Sequence, residues 1–305
     1  MTDLPRNSVV AVGGKADRNG PANQPPWLLV PAMATMALFL LAPFLILAAY
    51  SLLQPTGAGS TGSWTLGNFV KLFLDPHYLS VIARTVWIAL AVVCLTLILG
   101  YALAFSIMSS APRWRRLMLG LVVIPLLLSG VIRTFGWIVL LSRNGPLAGL
   151  LQSLALLDGP LTLLGHPTGV IIGLTHVLMP FMVLAVASNL SYLDSRLNEA
   201  ASGLGATPIR RFLRVTLPLT LPGIVTGSTL VFILAMGGFV TQSMLGFGRV
   251  QVLPILIYDQ ATTALNWPFA AAAAMTMLAV TLACLGVFRL AIRGPYQRSV
   301  TGPRI

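Results

Sequence analysis

Residues 199–218 read E-A-A-S-G-L-G-A-T-P-I-R-R-F-L-R-V-T-L-P, a polar stretch between two long apolar runs. Just before it, Asp194 or Ser195 is placed to cap a short helix, because both side chains accept backbone N–H bonds at a helix N-terminus. Glycine commonly follows the last residue of a helix, so Gly203 and Gly205 predict where this helix ends. The first half of the stretch is therefore predicted to be a short, capped helix.

The second half of the stretch predicts another short helix that begins at once. Thr207 fits the N-cap, and Pro208 fits the first helical position, where the missing N–H of proline costs little. Three arginines follow, of which the first and last lie on one helix face: Arg210, Arg211 and Arg214. The two helices together predict a bent unit over residues 194–218, which we call the elbow.

The composition indicates an integral membrane protein. Of 305 residues, 56% are hydrophobic and only 9% are charged, whereas a soluble domain carries about 25% charged residues. A spanning helix needs about 20 mainly apolar residues. The fold class predicted is all-α, a polytopic bundle of six transmembrane helices. The six segments are 28–53, 81–108, 117–141, 168–190, 219–247 and 268–292.

The two ends of the chain are predicted to lie outside the membrane. Residues 1–27 are polar and rich in Gly, Pro and Asn, which is typical of a disordered tail, and residues 293–305 form a short C-terminal tail. The apolar run after the first tail exceeds the length of a signal-peptide core, so it predicts a retained helix. Cys94 and Cys284 lie inside predicted spans without a nearby His or Cys, and they predict small buried side chains rather than a disulfide or a metal site.

The net charge of +12 indicates membrane orientation rather than nucleic-acid binding. With a cytoplasmic N-terminus and six spans, 14 of the 19 Lys and Arg residues lie on the cytoplasmic side. This asymmetry follows the positive-inside rule, and it predicts that both termini and the elbow are cytoplasmic. The 14 residues are Arg6, Lys15, Arg18, Arg113, Arg115, Arg116, Arg196, Arg210, Arg211, Arg214, Arg289, Arg293, Arg298 and Arg304.

The elbow resembles the Glu-Ala-Ala motif of ATP-binding-cassette (ABC) importer permeases. In order, that motif has Glu-Ala-Ala, three residues, Gly, nine residues, Ile, one residue and Leu-Pro. The matching positions are Glu199, Ala200, Ala201, Gly205, Val215, Leu217 and Pro218. The one departure is Val215 in place of isoleucine, a swap between two β-branched side chains.

The resemblance implies a type I importer permease whose elbow couples to a cytoplasmic ATPase dimer. It further implies a second permease subunit, with the pair expected to be a heterodimer, and a solute-binding protein outside the membrane. Arg210, Arg211 and Arg214 are candidate further ATPase contacts; alternatively they form a solvated face that follows the positive-inside rule. No G-x-x-x-x-G-K-[ST] phosphate loop occurs in the chain. We therefore expect ATP to bind the partner, and we expect no cofactor or metal in this chain.

Looser matches between residues 80 and 292 resemble the first permease of spermidine/putrescine-type systems. They favour a polyamine or a similar amine as cargo. Relatives that import opines, phosphonates or other small solutes carry the same signatures, so the cargo is left open. The matches are Ile124-Pro125, Arg133 to Trp137, Asn144-Gly145, Met179 to Met182, Phe239 to Thr241 and Leu245-Gly246.

Three residues are candidates for the translocation path: Arg133, Trp137 and His176. An arginine within a spanning helix is costly and indicates function, either in lining the path or in bonding to backbone carbonyls. The alternative is that Arg133 snorkels to the interface. His176 fits a neutral, hydrogen-bonded imidazole better than a proton relay, and Trp137 also suits an aromatic belt. Since an arginine repels a polycation and no Asp or Glu lies securely inside a predicted span, the cargo is expected either to cross along carbonyls and aromatics or to be less cationic than a polyamine.

An ion-coupled secondary carrier or channel that needs no ATPase is the alternative function. Such a protein requires ionisable residues at membrane depth, and this chain offers chiefly Arg133 and His176. An intramembrane enzyme is disfavoured, because the chain has no paired carboxylates, HExxH motif or nucleophile–base set. We therefore predict a multi-pass permease of the bacterial inner membrane.

Overall fold

The computed structural model describes residues 30–56, 59–154 and 163–300, without the side chains of residues 32, 55–62, 195, 198 and 291–300. The predicted tail over 1–27 and residues 301–305 of the predicted C-terminal tail thus lie outside the described residues. The chain divides into two compact units between Ile46 and Leu47. Most of α1 (Val30–Ser51) belongs to the first unit, and its residues 33–51 are apolar enough to cross a membrane.

Three long helices form the core of the second unit. They are α3 (Pro76–Met108), α7 (Pro167–Ser191) and α10 (Leu217–Met236), and each packs against the other two. Their contact is almost entirely apolar, because successive turns place large aliphatic side chains on the facing sides. Fully buried members include Ile88, Val92, Met182, Val183 and Val231.

Two glycines allow α10 to approach α7 closely. A Cβ on Gly223 would lie 2.7 Å from the Cβ of Asn189, and one on Gly227 would lie 2.7 Å from the sulfur of Met182. Neither distance is compatible with a side chain, so the small residues let the two backbones pack directly, as in other membrane helix pairs.

The third predicted span, 117–141, is not one straight helix. It consists of α4 (Pro112–Leu127) and α5 (Gly130–Leu141), and α6 (Pro146–Ser153) follows. The axis bends by 97° between residues 112–127 and 130–153. The break follows Pro125, whose missing N–H weakens the helix, and extended backbone at Leu128 completes it. Within the described residues five helices are long and apolar enough to span a membrane, and this bent pair is the candidate sixth.

The fifth span begins earlier and ends sooner than the predicted 219–247. A continuous helical run covers residues 208–236, composed of α9 (Pro208–Arg211), a π-helix (Phe212–Thr216) and α10. The wider π turn lets the Leu217 N–H reach the Phe212 carbonyl just before Pro218, which has no N–H to donate. The run stops at Gly237-Gly238, and α11 (Phe239–Gly246) starts a separate segment.

The segments between spans add a smaller second cluster. The hairpin of β1 (Leu53–Thr56) and β2 (Gly59–Trp64) is antiparallel and precedes α2 (Gly67–Leu74). Further along the chain, α12 (Leu253–Thr262) precedes the last span, α13 (Trp267–Val300). The side chains that pack α2, α3, α12 and α13 together are mainly apolar: Leu72, Val81, Ile82, Leu253, Leu256 and Phe269. The buried Thr85 hydroxyl also accepts the Leu253 N–H at 2.9 Å and so joins α3 to α12.

Candidate functional site

The first arm of the elbow is a short helix with hydrogen-bonded caps at both ends. It is α8 (Ser195–Gly203), and the Asp194 carboxylate accepts the Arg196 N–H at 2.9 Å, as the sequence predicts. At the other end Gly205 has a φ of +76°, a conformation that glycine adopts readily. The N–H groups of Gly205 and Ala206 then bond to the last carbonyls of the helix, which completes a Schellman cap.

The second arm starts at Thr207, whose hydroxyl accepts the Arg210 N–H at 3.4 Å. The Arg211 guanidinium donates to the Ser202 hydroxyl at 2.5 Å, so this arginine ties the two arms together. Arg210 and Arg214 are exposed. The three arginines are therefore not equivalent, and only these two present their charge outward.

The motif positions divide into an exposed face and a spanning part. Glu199, Ala200 and Gly205 are exposed on the elbow, whereas Val215, Leu217 and Pro218 are half-buried at the start of the fifth span. Ala200 and Gly205 are small, so another protein can approach the elbow closely at these two positions. The helical run continues without a break from α9 into α10, so the second arm of the elbow and the fifth span form one continuous helical segment.

The π-helix of the elbow contacts the second span through aromatic rings whose meeting was not predicted. The Phe212 ring meets the rings of Tyr101 and Phe105 edge-to-face, with both pairs of centroids 5.8 Å apart. Just beyond, the hydroxyls of Tyr101 and Thr220 are 3.0 Å apart and buried. The spacing of Tyr101 and Phe105, four residues apart on one helix face, was the available sequence signal.

The three predicted path residues lie together, and we call them the Arg133 cluster (Arg133, Trp137 and His176). Arg133 and Trp137 are one turn apart on α5 and face α7. The Trp137 indole N–H donates to Nδ1 of His176 at 3.1 Å, and the two rings meet at 64° with centroids 5.3 Å apart. Arg133 is half-buried and donates to the Val177 carbonyl at 3.5 Å, while its Nε–H is buried without a partner.

The break between α10 and α11 carries a second set of polar contacts. The fully buried Gln242 donates to the Ala235 carbonyl at 2.8 Å, which satisfies one of the last carbonyls of α10. The Thr134 and Thr241 hydroxyls lie 3.1 Å apart and join α5 to α11. The two interrupted spans are thus connected to each other by a buried hydrogen bond.

In the part of the chain that the structure describes, no group of three His, Cys, Asp or Glu side chains is arranged to hold a metal ion. Both cysteines are free thiols. The prediction that both are buried is wrong for Cys94, which is exposed because its face of α3 points away from the core, and Cys284 is half-buried.

Comparisons with known proteins agree on one family. The protein-family model described as "binding-protein-dependent transport system inner membrane component" matches residues 96–293 of this chain. The spermidine/putrescine transport system permease protein PotB of Haemophilus influenzae is 37% identical over 235 residues, which cover 77% of this chain and 82% of that protein. PotB of Escherichia coli is 34% identical over 254 residues, which cover 83% and 92% respectively.

Solved structures show the same fold. A chain of a bacterial ABC transporter involved in the import of the acidic polysaccharide alginate matches with a TM-score of 0.73 at 20% identity, covering 88% of this chain and 96% of that one. A chain of the MetNI methionine ABC transporter matches with a TM-score of 0.52, and the match covers 74% of this chain and 99% of that one. The predicted fold class, a type I importer permease-like bundle, is confirmed.

Proposed function

The chain belongs to the family of binding-protein-dependent transport system inner membrane components, and from that premise we propose that it imports a polyamine or a similar small amine. It is the permease subunit of an ABC importer, a transporter component of the inner membrane rather than an enzyme. The observation that supports an amine as the cargo is the 37% identity to a spermidine/putrescine permease over most of both chains.

The elbow is the ATPase-coupling element in this proposal. Glu199, Ala200 and Gly205 form its exposed docking face, and Ala201 supports them from a half-buried position. Arg210 and Arg214 are free to add contacts to acidic side chains of the ATPase, whereas Arg211 shapes the elbow from within. ATP is bound and hydrolysed by the ATPase, and no cofactor is needed in this chain.

Movement of the elbow reaches the core by two connections. Val215, Leu217 and Pro218 continue the elbow into α10, so a displacement of the docking face tilts the fifth span. Phe212 passes part of the same displacement to α3 through its aromatic contacts. Alternating access follows if α3 and α10 move together against the facing permease.

The partners in the proposal are an ATPase dimer, a second and different permease, and an extracytoplasmic solute-binding protein. The solved alginate transporter has been crystallised in complex with a ligand-bound periplasmic protein, which supports the last of these by likeness of fold. Both termini and the elbow lie in the cytoplasm, since the basic residues cluster on that side. The Arg133 cluster lines this chain's half of the path.

The proposal is tested by expressing the chain with its neighbouring transporter genes in a host that lacks amine uptake. Labelled spermidine and putrescine should accumulate, and accumulation should require ATP and the companion ATPase. The matched control is a variant of that ATPase in which the lysine of the G-x-x-x-x-G-K-[ST] phosphate loop is replaced. Uptake that survives ATP depletion but collapses with a proton ionophore would instead establish an ion-coupled carrier, and transport of other solutes alone would contradict the amine cargo.

A further inference from the structure

The Arg133 cluster presents hydrogen-bond donors and no free acceptor. The Nδ1 atom of His176 accepts the indole N–H of Trp137, so the imidazole carries its proton on Nε2, which is a donor. The guanidinium of Arg133 has five N–H donors and no acceptor. An ammonium group is also a donor only, so the three side chains offer it no hydrogen-bond acceptor, and the ring face of Trp137 is the only part of the cluster that attracts it.

The charge of Arg133 is poorly compensated within the chain. Its bond to the Val177 carbonyl is 3.5 Å long, at the limit for a hydrogen bond, and its buried Nε–H has no partner. All described acidic side chains lie outside the candidate spans: Asp75, Asp194, Glu199 and Asp259. Charged residues within membrane spans are nearly always paired with other charges or with backbone carbonyls. The single long bond to Val177 satisfies only part of the guanidinium, which favours a counter-charge supplied by another molecule.

From these contacts we propose that the Arg133 cluster binds a carboxylate, with the guanidinium as the charged donor and Nε2–H of His176 as the second donor. A carboxylate is planar, accepts two parallel N–H bonds and carries the required negative charge. Trp137 orients the imidazole through its bond to Nδ1 and is therefore a positioning residue. The inference rests on the proposed function only in taking the cluster to line the path.

Two molecules can supply this carboxylate. One is the second permease, through an Asp or Glu that faces Arg133 across the path. The other is the cargo, if the transported amine also carries an acid group. The chemistry at Arg133 is the same in both cases, and the two sources differ in whether the bond depends on the cargo.

The test uses the complete transporter in proteoliposomes, with wild type, Arg133→Lys, Arg133→Gln and Arg133→Glu. Arg143→Gln is the matched control, because Arg143 is exposed at the end of α5 and makes no part of the cluster. The probes are putrescine and 5-aminopentanoate, which has a carboxylate in place of one ammonium. Since every variant receives solute from the same binding protein, differences between variants report on the permease.

If the cargo supplies the carboxylate, 5-aminopentanoate should compete with putrescine for transport in the wild type. Arg133→Gln should then weaken this competition on the order of tenfold or more. If the second permease supplies the carboxylate, 5-aminopentanoate should not compete with putrescine. Arg133→Gln then lowers the thermal stability of the permease pair with or without cargo, Arg133→Glu lowers it further through repulsion, and Arg133→Lys restores part of it.

The inference is overturned if Gln, Glu and Lys at position 133 all match the wild type in competition and stability. It is also overturned if Lys is as damaging as Gln, since that result indicates packing rather than charge. Failure of the wild type to transport putrescine would remove the proposed cargo but not the stability comparison, so the two claims fail separately.

Discussion

The hydroxyl of Tyr101 on α3 lies 3.0 Å from the hydroxyl of Thr220 on α10, in a fully enclosed contact between the second and fifth spans. Thr220 also bonds to the Thr216 carbonyl at 3.0 Å, so its own proton points along the helix and Tyr101 is the donor to it. This bond lies one turn beyond the π-helix at the C-terminal end of the elbow. It therefore joins α3 to α10 close to the elbow, where the proposed coupling would bring ATP-driven movement into the membrane part.

Tyr101→Phe should loosen this junction without leaving an unsatisfied group, because Thr220 keeps its bond to the Thr216 carbonyl. We expect a loss of about 1 kcal/mol in the free energy of unfolding and fewer cargo molecules moved per ATP hydrolysed. Thermal unfolding and paired uptake and ATPase assays measure both. Tyr258→Phe, at an exposed tyrosine, is the control and should change neither quantity; equal effects of the two substitutions would refute the role of the bond.

Gly205 is predicted to be sensitive to substitution because of its backbone rather than its surroundings. No atom lies within 4 Å of a Cβ at this position, but its φ of +76° strains any other residue. Gly205→Ala should cost about 1 kcal/mol, and Gly205→Leu should also obstruct the docking face and lower uptake while membrane levels stay normal. The control is Gly203→Ala, which has equal space and no positive φ. Immunoblots of membranes with uptake assays give the comparison, and a Gly205→Leu variant that transports normally argues against the docking face.

Gly227→Leu should damage the core, because its Cβ would lie 2.7 Å from the Met182 sulfur and 3.2 Å from the Ala185 Cβ. Overpacking of this kind costs about 1–3 kcal/mol, so both the membrane level and the melting temperature should fall. Gly120→Leu is the matched control, since nothing lies within 4 Å of its Cβ. Normal levels of the Gly227 variant would indicate that α7 and α10 do not pack as described.

Thr134 and Thr241 should be energetically coupled through their 3.1 Å contact between α5 and α11. A double-mutant cycle with valine at each position keeps the side-chain shape and removes the hydroxyls. The coupling energy expected for a hydrogen bond between membrane helices is about 0.6 kcal/mol. It is measured from the unfolding of the two single variants and the double variant, and strictly additive effects would contradict the contact.

The caps and the turn of the elbow could be predicted, because they depend on local chemistry, whereas its π-helix could not. Asp194, Thr207 and Gly205 each form the cap or the turn that their residue types favour. The apolar spans were also evident, since their length and composition suffice to identify them.

The interruptions within spans were not predictable from hydropathy. Leu128-Ser129 and Gly237-Gly238 interrupt two spans, but one or two polar or small residues change the mean over a window of about 20 residues too little to break it, so each predicted segment looked continuous. The meeting of Trp137 with His176, and of Phe212 with Tyr101, depends on how distant helices pack. Such contacts are set by tertiary structure; the sequence spacing indicates that Tyr101 and Phe105 share a helix face but not which residue they meet.

The coupling of the elbow to a separate ATPase is tested most directly by Glu199→Lys, measured as cargo uptake and transport-stimulated ATP hydrolysis in the purified transporter. Glu199 is exposed on α8, so reversing its charge should leave insertion and folding intact. We predict a normal amount of permease in the membrane, loss of uptake, and ATP hydrolysis that no longer responds to the loaded binding protein. Uptake and stimulation equal to those of the wild type would contradict the coupling role of the elbow.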